Sequence, residues 1–275
     1  MQQEQDNYLE IKPIGRFSLN IQELWQHREL IYFFVWRDVK VKYKQTIIGL
    51  LWIVLQPLAL LTVFYFALHR SMQSELNWMS YPMYLLSGLI LWQYFSASVS
   101  QSAESMLSNT NIIKKIYFPR LIIPIAAIGN AMIDFLILFA LVFILFAVQG
   151  EIYWHSIPLV LAALFMTTVS SFGIGSFLAA ANLKYRDVRY SLPFLLQIML
   201  FTSTVFYPLT SANELLSKLK YAHPMNAALH CWRCAFSQEP VSVAIVGIGL
   251  MYSVVILVLG VYYFRKTEAF FADIA

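Results

Sequence analysis

Apolar residues fall into six long runs separated by short polar stretches, at about 47–68, 83–103, 121–148, 157–181, 191–209 and 243–264. A helix needs roughly 20 mostly apolar residues to cross a bilayer. The pattern therefore predicts an all-α membrane protein with six transmembrane helices. Period-two alternation, the mark of an outer-membrane barrel, is missing from these runs. Helices also satisfy their own backbone groups, the only open-ended solution inside lipid. Prolines punctuate the pattern: Pro124 predicts a tilt or kink in the third run and Pro158 opens the fourth. Pro193 falls in the first turn of the fifth and Pro208 at its end.

Three segments outside the runs carry helical or half-apolar patterns. Over residues 21–44, Trp25, Tyr32, Trp36, Val39 and Tyr43 gather on one side of a helical wheel, and Arg37, Lys40 and Lys44 on another. An aromatic stripe beside a basic stripe predicts an amphipathic helix lying in the membrane interface. Such a helix is either a lipid anchor alone or also the frame of a docking site, with Arg37, Asp38, Lys40 and Lys44 as its candidate residues. In residues 104–120, Asn109, Thr110 and Asn111 can cap a helix start. Ile112, Ile113, Ile116 and Tyr117 follow at helical spacing, and Pro119 stops the helix. This predicts a short projecting helix, the alternative being an ordinary interfacial turn. Residues 210–242 are too broken by polar groups to span, yet AALHCWRCAF is half apolar. A short re-entrant helical pair between helices five and six fits, provided protein or water covers its backbone.

Composition agrees with the pattern. Of 275 residues, 59% are hydrophobic and 12% charged, against about 25% charged in a soluble domain. No repeat or soluble domain interrupts the chain, so residues 1–275 read as one membrane domain. The first 46 residues lack the short apolar core of a secretory signal, so the N-terminus is expected to stay where it is made. Seven cations lie in the N-terminal segment (Lys12, Arg16, Arg28, Arg37, Lys40, Lys42, Lys44). Three lie in each of the loops near 104–120 and 182–190, and two near the C-terminus, against only Arg70, Lys218, Lys220 and Arg233 opposite. The positive-inside rule places both termini in the cytoplasm. The net charge of +4 reflects this sidedness; without a nucleic-acid motif it gives no reason to expect a nucleic-acid partner.

Motifs for covalent chemistry are missing. There is no G-x-x-x-x-G-K-[ST] loop, so any ATPase must be another chain. Neither H-E-x-x-H nor G-x-S-x-G occurs. Gly173 and Gly175 in the fourth run suit close helix packing. Cys231 and Cys234 form a C-x-x-C beside His230. A redox pair lacks its strand-helix context, and a zinc site would have to recruit His223, His230, Cys231 and Cys234. Buried small residues, or a disulfide on the oxidising side, are the other readings. Asp134 is the one carboxylate deep in an apolar run, and at the bilayer centre it costs roughly 2.5–3.5 kcal/mol. It should face protein or water, either in a transport pathway or against a structural partner such as Asn130. A lone Asp argues against a proton-coupled carrier. Aromatics are abundant, with 21 Phe, 16 Tyr and 7 Trp. Trp52, Trp78, Trp92 and Trp154 suit interfacial belts. Phe64, Tyr65 and Phe66, Tyr94 and Phe95, and Phe206 and Tyr207 cluster toward helix ends. They serve lipid and helix packing, or form a ring of apolar faces and hydroxyls along which a sugar chain slides.

Several strings resemble ABC-2-type polysaccharide export permeases: ELIYFFVWRDVKVKYKQTIIGLLWIVLQPL, IKKIYFPRLIIP, NLKYRDVRYSLPFLLQIMLFTSTVFYP, HPMNAALHCWRCAF and YYFRKTEAFFADIA. They run in order over nearly the whole chain and are most similar to the O-antigen and capsular permeases, with teichoic-acid permeases near. The resemblance implies a homodimer in the bacterial inner membrane, working with two copies of a separate ATPase that carries ATP and Mg. No cofactor is expected on this chain, and no enzyme activity of its own. The implied cargo is a polysaccharide on an undecaprenyl carrier, passing through a channel along the dimer. The coupling segment becomes Asn111 to Arg120, with Asn111, Ile113, Lys114, Lys115, Tyr117 and Arg120 as candidate contacts. The surface helix becomes Glu23 to Lys44. The candidate channel residues are Phe64, Tyr65, Tyr94, Phe95, Asp134, Phe206 and Tyr207. Two alternatives stand: an ABC-2 exporter of a drug or lipid, or a membrane glycan ligase or polymerase. The second should show outer basic and acidic clusters, whereas the outer side offers only Glu75, Glu151, Glu214 and Glu239 with four cations.

Overall fold

A computed structural model describes residues 21–44, 49–72, 79–149, 157–208, 223–237 and 241–268. Among these residues all regular structure is helical: α1 (Ile21–Gln26), α2 (Arg28–Lys44), α3 (Gly49–Met72), α4 (Tyr81–Ser108), α5 (Thr110–Ile113), α6 (Ile122–Gln149), α7 (Ile157–Lys184), α8 (Asp187–Thr202), α9 (Asn226–Cys234) and α10 (Val243–Glu268). Each of the six apolar runs overlaps a helix, the fifth only in part. Four helices are long and apolar enough to cross a membrane, over Leu51–Leu68, Ile122–Ile144, Ile157–Lys184 and Val243–Glu268. The other two differ for identifiable reasons. α4 has the length but is studded with Ser and Gln, which it can carry because other helices enclose it. α8 has 16 residues, about 24 Å of rise, short of a bilayer core about 30 Å thick. The first half of the expected re-entrant pair, together with Lys12, Arg16, Lys218, Lys220, Trp78, Trp154 and the four outer glutamates, lies outside the described residues, as does the Arg70 side chain.

Helix boundaries follow local chemistry. Pro124 is the third residue of α6 and Pro158 the second of α7. There the first-turn N–H groups have no intrahelical acceptor, so the missing donor costs little. Pro193 was expected in a first turn; instead α8 starts earlier, at Asp187, and Pro193 is interior. The earlier start comes from a tight turn in which Tyr185 N donates to Ala181 O and Val188 N to Tyr185 O. α8 then stops at Ser203 rather than near 209, giving way to a turn over 203–207.

α4 is the central helix, packed against α3, α6, α7, α8 and α9. Its Leu85, Ile90, Leu91, Phe95 and Val99 are wholly buried. α10 packs on α7 with almost no gap. A Cβ added to Gly173 would stand 2.5 Å from the Ile256 carbonyl oxygen, and one on Gly260 would collide with the Gly173 backbone. The small residues therefore set helix approach here, as expected for apolar helices that gain by backbone contact. Ser170 and Ser253 add a hydrogen bond of 3.0 Å across the same seam. At one end of the molecule lie α1, α2, α5 and the C-terminal ends of α4, α7 and α10; α9 packs at the opposite end.

Candidate coupling and channel sites

At the α2 end, the interfacial helix is broken at His27 and lies against α6 and α4. Its aromatic stripe is largely open: Trp25, Tyr32 and Trp36 are exposed, while Phe34 is buried against Phe118. Lys40 sits 4.4 Å from the Trp36 ring centroid, so the two stripes touch. Lys44 is exposed at the helix end. Arg37 binds Asp38 through Nε at 2.8 Å and reaches across to Asn109 Oδ1 at 2.9 Å. Asn109 in turn donates to Ser105 O at 2.8 Å. It stands at the α4–α5 junction, where its backbone carbonyl accepts from Ile112 N and Ile113 N. Its side chain thus joins two segments rather than capping α5.

Asp134 is held by this same helix. Lys42 pairs with Asp134 Oδ2, and Tyr43 donates its hydroxyl to Oδ1 at 2.6 Å. The structural partner is therefore not Asn130, which donates to Gln101 Oε1 at 2.9 Å instead. Burial first, and then the hydrogen bond and charge of Asp134, hold the Tyr43 phenol well above its usual pKa. Between α2, α4, α5 and α6 opens a cavity of about 610 Å³, with Arg37, Asp38, Lys42, Gln101, Asn109 and Asn130 among its walls. Its cations are met by carboxylates, so it is polar without strong net charge.

The coupling helix is shorter than its pattern suggested. α5 covers only Thr110–Ile113, and turns follow to Ile116. A single turn has too few intrahelical bonds to propagate, and Pro119 ends the segment. What projects is a tip: Asn111, Lys114 and Lys115 are exposed, Ile113 is half-buried, and Ile116 and Tyr117 are 62% and 70% exposed. Phe118 is buried beneath them. Arg120 donates to the Glu268 carbonyl, tying the tip to the end of α10.

The candidate channel aromatics fall into separate places. Phe64 of α3 stacks on Phe206 with centroids 3.8 Å apart, and Phe201 lies 5.6 Å from Phe206. Tyr207 is half-buried beside them and donates its hydroxyl to Phe201 O. Tyr65 is half-buried, edge-on to Phe66 at 5.7 Å. Tyr94 is buried, with its hydroxyl 2.9 Å from Thr168 Oγ1 and its ring 5.0 Å from Phe135. Phe95 is fully enclosed against Trp92. Asp134 lies apart from all of these, with α2. Phe64, Phe206 and Tyr207 come together at one place, and Phe206, like Tyr94 and Phe95, is buried in the main core.

Cys231 and Cys234 are both buried and not joined in a disulfide, and Cys234 Sγ lies 3.8 Å from the His230 ring nitrogens. His223 is engaged with Met199 O at 3.0 Å. Among the described residues no group of three or more His, Cys, Asp or Glu is arranged to hold a metal. Sequence reasoning missed Lys42, Gln101 and Arg233. A carboxylate in an apolar run demands a cation, and Lys42 was available on the neighbouring amphipathic helix. Arg233 within AALHCWRCAF carried the same signal in reverse.

Among the described residues the fold is all-helical, with four helices long and apolar enough to cross a membrane and an exposed tip between α4 and α6. Residues 29–236 match the ABC-2 type transporter family, and the chain belongs to it. It is 26% identical over 242 residues to the O-antigen export system permease protein RfbA of Klebsiella pneumoniae, covering 86% of this chain and 92% of that protein. RfbA of Myxococcus xanthus is 26% identical over 195 residues, covering 70% and 74%. The polysialic acid transport protein KpsM of Escherichia coli is 28% identical over 185 residues, covering 64% and 68%.

Proposed function

We propose that this chain is the channel-forming subunit of an ABC exporter that moves a lipid-linked polysaccharide of the O-antigen type across the bacterial inner membrane. Its likeness to O-antigen export permeases and to a polysialic acid transport protein supports the cargo class. The observation that carries the coupling mechanism is the exposed tip at Lys114, Lys115, Ile116 and Tyr117, standing beside an interface helix fastened to two membrane helices. In this reading 1–275 forms one membrane domain. α4 and α8 complete six spans, both termini lie in the cytoplasm, and two copies pair around the channel. Two copies of an ATPase, bearing ATP and Mg, dock on the tip and the surface helix.

The chain's own residues transmit the stroke. A push on the tip moves Asn109, which shares Arg37 with α2. Motion of α2 is passed to α6 through Lys42 and Tyr43 on Asp134. The permease halves shift, the channel opens, and an undecaprenyl-linked glycan slides past aromatic faces that offer no deep well. The permease makes and breaks no covalent bond. Deletion of the gene tests the cargo: full-length polymer should accumulate inside on its lipid carrier while the surface is bare. An unchanged surface glycan with no accumulation would favour a drug or lipid exporter instead.

A further inference from the structure

Arg233 is the most deeply buried cation among the described residues of the α9 end, 4% exposed, on a helix face it shares with the buried Asn226. An enclosed guanidinium is tolerated only when most of its donors are used, and of the three nitrogens of Arg233 Nε alone lacks a partner. Here its acceptors are backbone carbonyls: Nη1 donates to Thr204 O at 2.7 Å, and Nη2 to Val205 O at 3.0 Å and Tyr84 O at 3.2 Å. Its guanidinium carbon lies 3.4 Å from the centroid of the Tyr84 ring. Gly88, one turn along α4, leaves the space: a Cβ there would stand 2.5 Å from Nη2.

The carbonyls concerned explain the arrangement. α8 stops at Thr202, and the turn that follows has no helix to satisfy its backbone. Irregular backbone buried among apolar helices is stable only if protein supplies the missing donors. Arg233 supplies two, and Tyr84 adds a third by donating its hydroxyl to Thr204 O at 2.8 Å. Asn226, also in α9, accepts from Thr204 N at 3.0 Å, and Tyr81 donates to Phe206 O at 3.3 Å. The turn is therefore held from both α4 and α9, and its Phe206, 1% exposed, stacks its ring on Phe64.

We propose that Arg233 is a positioning residue: its planar fork holds the 203–207 turn and thereby seats the buried Phe206 ring against Phe64, fixing α3 to the α9 end of the bundle so that the two move together during export. The functional half of this statement rests on the export reading; the seat itself does not. Lys could occupy the site as a point charge but could not span the carbonyls as a fork does, so Arg233→Lys should fall between wild type and Arg233→Met.

The test uses the full chain with its ATPase partner in lipid nanodiscs, with 4-fluorophenylalanine placed at position 206 and read by fluorine NMR. The same variants are scored in cells for surface glycan per ATP hydrolysed. Arg233→Met should move or broaden the fluorine line and lower the glycan-to-ATP ratio about tenfold, the scale of losing donors to buried carbonyls. Arg233→Lys should restore part of both. A folded Arg233→Met protein with an unmoved line, or with an undiminished ratio, overturns the proposal. If Arg233→Met does not fold, Gly88→Ala, which crowds Nη2 while keeping every charge, is judged by the same two readouts. If the wild-type chain displays no glycan at all, the export reading fails, and the fluorine line alone still decides whether Arg233 seats Phe206.

Discussion

Asp134 shows what one carboxylate does in an apolar helix. Its side chain is 14% exposed and meets Lys42, 38% exposed, on a helix 92 residues earlier in the chain. A pair so placed lies between the surface and buried limits. Lys42→Met and Asp134→Leu should each destabilise the chain, by about 1–2 kcal/mol. The double variant should lose less than the sum, which thermal unfolding in nanodiscs would resolve. Tyr43 has a separate signature. Its phenol is held above the ordinary value, so below about pH 10 it is protonated in both folded and unfolded chains and contributes no pH dependence. Above that, the unfolded phenol ionises first and stability falls as pH rises; Tyr43→Phe should remove that part of the alkaline slope. The thiols of Cys231 and Cys234, buried and not in a disulfide, should resist maleimide in the folded protein and react once α9 is released.

At the scale of elements, the tip after α5 and the α7–α10 seam make opposite demands. Lys114→Glu with Lys115→Glu should leave the fold intact and abolish stimulation of the partner ATPase; normal stimulation would count against docking there. Gly173→Leu should do the reverse, costing about 1–3 kcal/mol by overpacking against Ile256 and Leu257, seen as lower thermal stability before any change in docking. The existence of α3, α4, α6, α7, α8 and α10 was legible in the sequence because hydropathy is a property of each segment alone. The end of α8 was less so: Thr202, Ser203 and Thr204 break the run only briefly before it turns apolar again, and the turn there is held by donors that α4 and α9 bring from far away in sequence. The α5 tip was over-read for a similar reason. Ile112, Ile113, Ile116 and Tyr117 keep helical spacing, yet among the described residues Ile116 and Tyr117 stay exposed. The Phe64–Phe206 stack could be anticipated only as a grouping by helix end, whereas Tyr94 and Phe95, placed in the same group, face inward from the central helix.

For the whole molecule, the protein environment around α4 replaces what lipid gives the other long helices. Ser98, Ser102 and Ser105 are buried along it. Ser102 donates to Pro124 O and Tyr94 meets Thr168, bonds to α6 and α7 that do not exist until those helices are made. This imposes an order on biogenesis. A nascent chain that ends soon after residue 108 presents the insertion machinery with a segment too polar to rest stably in lipid by itself. Such a truncation should remain extractable or protease-sensitive at α4, and extension through α7 should secure it. The most enclosed helix of the finished permease is thus the one whose place in the bilayer is settled late in synthesis, by the company it keeps.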